Sequence, residues 1–132
     1  MTDNNDQITG LLARYCHIVD NEPAEIIADL FWDDATLDLG GLHEGREAIV
    51  QAYVDWIARR RVKTDQLRHM IFQPAIEIDG KRATARTYFN ADGFAGPDKA
   101  LLLVRGIYRD ELEKRDGEWR FARREIAVLS AS

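Results

Sequence analysis

From Leu67 onward apolar and polar residues alternate in long runs, and two Asp-Gly pairs, Asp79-Gly80 and Asp116-Gly117, interrupt them where tight hairpins turn. That half of the chain therefore has to form an antiparallel meander. The expected strands are Arg68 to Ile78, Arg82 to Asn90, Lys99 to Lys114 and Glu118 to Leu129, with Pro74 marking a bulge or an edge position in the first of them. Ala91 to Asp98 holds two Gly and one Pro, and it reads as the single long irregular connection, a loop able to rim a pocket.

Helical spacing is confined to the chain before the meander. Asn4, Asn5 or Asp6 is expected to cap a first helix that runs to about Val19, with Ile8, Leu11, Leu12, Tyr15, Cys16, Ile18 and Val19 on one arc. Asp20 falls on the border of that arc, and Asp20-Asn21-Glu22-Pro23 breaks the helix. A carboxylate at the edge of a buried face needs a partner, because leaving it unpaired is costly. His69 is the expected partner. A second helix from Pro23 carries Ile26, Ile27, Leu30 and Phe31 and is expected to end at Trp32-Asp33-Asp34; Ala35 to Leu39 then forms a short strand, stopped by Gly40-Gly41. A third helix opens at Gly45-Arg46-Glu47-Ala48-Ile49, buries Ile49, Tyr53, Trp56 and Ile57, and finishes in Arg59-Arg60-Arg61, read as solvated cations placed against the helix dipole. Helices first and a meander afterwards predict an α+β fold: a curved, mostly antiparallel sheet forming a cone, with three N-terminal helices packed on it. Its concave face, roofed by the first helix, would hold a mostly apolar pocket.

The 132 residues are expected to form one domain, residues 1–132, large enough to bury roughly two-thirds of the unfolded surface. A net charge of -5 repels a phosphate backbone, so nucleic acid is not expected as a partner. One Cys cannot close an intramolecular disulfide, and the polar start Met-Thr-Asp-Asn-Asn-Asp lacks the apolar stretch of a signal peptide; the cytoplasm is the expected compartment. No apolar run is long enough to span a bilayer, so no membrane partner is expected. With one Cys and three His at no close ligand spacing, no metal site is expected either.

The order of these elements, together with Arg14-Tyr15-Cys16, Asp20, Gly45-Arg46-Glu47-Ala48-Ile49, Arg68-His69 and Asp116-Gly117-Glu118-Trp119-Arg120-Phe121, resembles one known family. It is similar to the SnoaL-like branch of the nuclear transport factor 2-like superfamily, close to scytalone dehydratase, bile-acid 7α-dehydratase and the β subunits of ring-hydroxylating dioxygenases. The resemblance covers nearly the whole chain and implies the cone fold. It also implies roles: Asp20 matches the helix-end aspartate that orients a catalytic histidine, His69 matches that histidine, and Tyr15 matches the aromatic residue of the first helix that lines the pocket. Thr87 falls where scytalone dehydratase has a second pocket histidine, Leu39 where it has a tyrosine, and Gly106 and Tyr108 near its serine and asparagine.

The functional expectation is a small cofactor-free lyase or isomerase, dehydratase-like, acting on a hydrophobic cyclic substrate of polyketide or steroid type. His69 would serve as general base and acid, Asp20 as its orienter and Tyr15 as a hydrogen-bond donor to a carbonyl, with Thr87, Tyr108, Leu39 and Tyr53 lining the substrate pocket. The alternative is a non-catalytic ligand-binding or assembly subunit, as the dioxygenase β subunits are. His17 and His43 are read as solvated, and Trp119 and Phe121 as ordinary packing of a half-buried strand. A sheet whose second face carries Leu101, Leu103, Ile107, Ile126 and Val128 needs cover there, so a homodimer or homotrimer is expected.

Overall fold

Asp3 starts the first helix: its carboxylate accepts the Asp6 amide at 2.8 Å, and α1 runs Asn4–Asn21 in a computed structural model that describes residues 3–132. The cap thus lies one residue before the three expected candidates. Asn4 is used elsewhere, its side-chain oxygen accepting Trp119 Nε1 at 3.1 Å and Lys114 Nζ at 2.9 Å, which pins the start of the helix to the far end of the chain.

The second helix is shorter than its apolar stripe suggested. α2 covers only Ala24–Ala28, and the strand β1 already begins at Phe31 and runs to Asp38. Trp32-Asp33-Asp34, expected to end a helix, instead lies inside that strand. A short apolar run satisfies a buried strand as well as a helix, and here the sheet wins because Phe31 is buried beside Phe121, its ring 5.1 Å away. Gly40-Gly41 then turns the chain into a short strand that spacing did not reveal, β2 at Leu42–Glu44.

α3 spans Arg46–Arg59, a 3-10 turn covers Arg61–Lys63, and the meander follows as β3 (Thr64–Ile71), β4 (Ala75–Asp79), β5 (Arg82–Ala95), β6 (Ala100–Arg115) and β7 (Glu118–Ala131). The expected run Arg68 to Ile78 is therefore two strands separated around Pro74, and both pair with β5. The expected loop at Ala91 to Asp98 is mostly strand: β5 continues to Ala95, and only a short turn joins it to β6. Gly93 is admitted because it lies against β3, where a Cβ would come within 2.5 Å of Thr64 Cγ2 and 2.9 Å of the Asp65 carbonyl oxygen.

The sheet order is β2-β1-β7-β6-β5-β3, antiparallel except for β1 beside β7, and its two ends do not meet. It is a curved, unclosed sheet with helices packed on it. Register shifts between Arg105 and Gly106 and between Glu111 and Leu112 supply bends in the long β6–β7 pair. On β5 the buried side chains are Ala83, Ala85, Thr87, Phe89 and Ala91, facing the helices, whereas Arg86 and Tyr88 face outward. The apolar set expected on the outer face is divided: alternation leaves Leu101, Leu103 and Ile107 there, while Ile126 and Val128 line the concave side. Among the described residues no helix is long and apolar enough to cross a membrane.

Candidate active site

The last turn of α1 and the middle of β3 meet through two side chains. Asp20 receives His69 twice: Oδ2 accepts the backbone N–H at 2.8 Å, and Oδ1 lies 2.6 Å from the ring Nδ1. Both side chains are 9% exposed. Contact with the carboxylate assigns the proton-bearing nitrogen of a neutral imidazole to Nδ1, which leaves Nε2 as the nitrogen free to accept or return a proton. Two aromatic rings fix the plane of the imidazole: Trp56 stands edge-on at 5.9 Å, and Phe89 lies within 24° of parallel at 6.2 Å.

Asp20 is held in turn by the end of its helix. Arg61 Nη1 donates to the carbonyl oxygens of Val19 at 3.1 Å and Glu22 at 2.6 Å, closing the exposed C-terminal end of α1. Arg61 is thus a cap on a neighbouring helix and not the solvated cation read from the sequence.

The His69 ring opens on a cavity of about 590 Å³ whose wall is largely apolar. Tyr15, Tyr53, Tyr108 and Leu39 line it, as expected, and so do Phe89, Ala91, Leu102, Val104 and Ile126. Thr87 does not line it. That residue points inward but lies beneath the cavity opposite Tyr108, fully buried, with no hydrogen-bond partner for its hydroxyl among the described residues. The β5 side of the wall is instead Phe89 and Ala91, further along the same face. His43, read as solvated, sits half-buried on β2 at the cavity. A shallower hollow of about 290 Å³ elsewhere is lined by charged residues, among them the paired Arg109 and Glu125, and offers no comparable acid–base pair.

Also lining the cavity, the hydroxyls of Tyr15 and Tyr53 are 2.7 Å apart and buried. Two hydroxyls bring two protons and their mutual bond uses one, so the pair keeps one O–H to offer a ligand oxygen. Burial pushes both phenols up, Tyr53 well above its ordinary range, so they stay protonated donors at neutral pH.

Under this floor lies a group that sequence reasoning passed over. Arg124 is fully buried, forks onto Asp110 at 2.8 and 3.0 Å, and places its guanidinium 4.2 Å from the Tyr15 ring centre, 3.8 Å from that of Tyr108 and 4.3 Å from that of Phe121. Burial alone would lower the guanidinium, and the Asp110 carboxylate more than reverses this, so Arg124 stays charged. The available signal was Asp110, an acid in phase with Tyr108 and Leu112 on a buried face. Which of Arg123 and Arg124 turns inward depends on the register shift, which alternation cannot supply. Among the described residues no group of three or more His, Cys, Asp and Glu is arranged to hold a metal ion.

The SnoaL-like domain family matches residues 2–125. Similar solved structures include a protein from Novosphingobium aromaticivorans DSM 12444 provisionally named a scytalone dehydratase, 22% identical over 96% of this chain and 84% of that one, with a TM-score of 0.82. A variant of Rv3472, a protein of unknown function from Mycobacterium tuberculosis, is 29% identical over 92% of this chain and 74% of that one, with a TM-score of 0.78. A hexachlorocyclohexane dehydrochlorinase, LinA type 2, is 19% identical over 97% of this chain and 86% of that one, with a TM-score of 0.79. No curated protein matches the chain.

Proposed function

The chain belongs to the SnoaL-like domain family, within the nuclear transport factor 2-like superfamily, and on that premise we propose that it is a small cofactor-free lyase or isomerase acting on a hydrophobic cyclic substrate of polyketide or steroid type. The observation that carries this reading is the double clamp of Asp20 on His69 at the wall of an apolar cavity. Nε2 of His69 takes a proton from the carbon beside a ring carbonyl, whose oxygen receives the free O–H of the Tyr15–Tyr53 pair. The electron pair left on carbon forms the new double bond as the bond to a β-hydroxyl breaks, and the imidazolium gives its proton to that hydroxyl, which departs as water. Return of the proton to another carbon gives isomerisation instead. Asp20 holds the ring's tautomer and orientation and stabilises the imidazolium. Neighbours named as a scytalone dehydratase and a dehydrochlorinase are consistent with such proton abstraction and elimination.

The test is turnover of a panel of cyclic β-hydroxy ketones and their enone isomers. A substrate found this way should lose at least about 10²-fold in kcat with Asp20→Asn or His69→Gln, the scale of a general base, while KM changes little. Unchanged turnover in Asp20→Asn sinks the dyad. The second reading, a ligand-binding or assembly subunit, is favoured by the outward apolar residues Leu101 and Leu129, 61% and 55% exposed; saturable ligand binding without turnover across the panel would select it. Under either reading that outer face is covered by one or two further copies of this chain, and light scattering that finds only monomer at micromolar concentration contradicts the homodimer or homotrimer.

A further inference from the structure

The wall of the cavity is largely apolar, but two arginines border it that form no ion pair among the described residues. Arg59, the last residue of α3, and Arg60, which follows it, both line the cavity and are exposed. Several surface arginines are matched with acids, Arg46 with Asp29, Arg68 with Asp92, Arg109 with Glu125 and Arg115 with Asp34, whereas others such as Arg82 and Arg86 are exposed away from the cavity. Among the described residues Arg59 and Arg60 form no such pair, and these two border the cavity. Arg59 Nε reaches the Asp55 carbonyl oxygen one turn back, at 3.4 Å, and the Asp55 side chain, the one acid lining the cavity among the described residues, accepts Gln51 Nε2 at 2.9 Å. The helix dipole favours a cation in the last turn, yet it gives no reason for two guanidinium groups to border one cavity in a chain of net charge -5.

Their position relative to the dyad is set by the same helix. Trp56, whose ring stands against His69, precedes Arg59 and Arg60 by about one turn, roughly 5 Å of helix axis. A ligand with its reacting carbon at His69 that extends along α3 toward its C-terminal end reaches the two arginines, which line the same cavity. Guanidinium forks match carboxylates and similar oxyanions in shape as well as charge. Resting on the reading of this cavity as a substrate site, we propose that the substrate is an amphipathic organic anion. Its cyclic body lies against Phe89, Tyr108 and Val104, and its anionic group is held at the rim by Arg59 and Arg60. The pair sets specificity without touching the reacting atoms.

A matched pair of fluorescent probes tests this. Anilinonaphthalene sulfonate and phenylnaphthylamine share the same aromatic rings and differ in the sulfonate. In direct titrations the native protein should bind the sulfonate more tightly. The double variant Arg59→Met/Arg60→Met, exposed positions whose change is checked by an unaltered melting temperature, should weaken the sulfonate about fivefold, as expected of two exposed charge contacts, and leave the neutral probe unchanged. Added salt should act on the sulfonate alone, and Arg59→Lys/Arg60→Lys should restore part of the preference. Equal shifts for both probes, or none for either, overturn the rim assignment while the cavity reading stands. Val104→Trp, which fills the cavity, separates the two failures: if neither probe is displaced by it, the cavity is not the binding site and the rim proposal falls with it.

Discussion

Residue by residue, the site is a set of polar groups whose freedom has been used up before any ligand arrives. Both Asp20 oxygens are taken by one residue, so the imidazole cannot turn without breaking a bond between partly buried groups. The tyrosine pair works by a similar economy of protons and makes a discriminating prediction. Under the proposed mechanism Tyr15→Phe removes the donor to the substrate oxygen and should lower kcat by about tenfold or more. Tyr53→Phe instead leaves Tyr15 with its proton free to point outward, at a cost of about 1 kcal/mol in stability, and should lower kcat much less. Steady-state kinetics and urea melts of the two variants check this; equal loss of kcat in both would make Tyr53 the donor's equal. Asp20, His69 and Tyr15 were legible because each breaks a local rule, an acid or a phenol at the edge of an apolar arc and a histidine in a strand. Arg124 was hidden because an arginine on an alternating strand is ordinary until its phase is known.

At the scale of elements, bulges decide where side chains point. Gly106 sits beside a register shift of β6 on β7, where a Cβ would meet the Phe89 ring at 2.3 Å and the Ala127 carbonyl oxygen at 2.6 Å. The glycine lets Phe89 lie flat on Tyr108, ring centres 4.1 Å apart and 8° from parallel, and that stack forms the part of the cavity wall that lies along the face of the imidazole. Gly106→Ala should therefore destabilise the fold by about 1–3 kcal/mol through overpacking, read in urea unfolding, and should displace Phe89. An unchanged unfolding midpoint would show that β6 and β7 part easily at the bulge. The hairpin partners were readable because Asp-Gly pairs and alternation are local signals. The second helix was misjudged for the same reason: Leu30 and Phe31 satisfy a helical stripe locally, and only Phe121, some ninety residues along the chain, makes Phe31 part of a strand.

For the molecule as a whole, the buried phenols link stability to alkaline pH. Tyr15, Tyr53 and Tyr108 are each raised, with burial the leading cause. Their folded-state values exceed the unfolded value of about 10, so the unfolded chain gives up these protons first. The stability they contribute is full below that value and is lost as pH rises through the folded values. Above about pH 10 tyrosinate absorbance from these three should therefore appear in one cooperative step together with loss of the circular-dichroism signal; early, gradual ionisation of all three would contradict their burial. What the sequence determined alone was whatever depends on near neighbours: helical spacing before the meander, strand alternation within it, the turns, and the pairing demand that an acid on an apolar edge creates. The phase of each strand past its bulge, the Arg124–Asp110 pair beneath the tyrosines and the two unmatched arginines at the rim were settled only by tertiary structure. A bulge moves every later side chain to the opposite face, and only packing between elements distant in sequence selects where it falls.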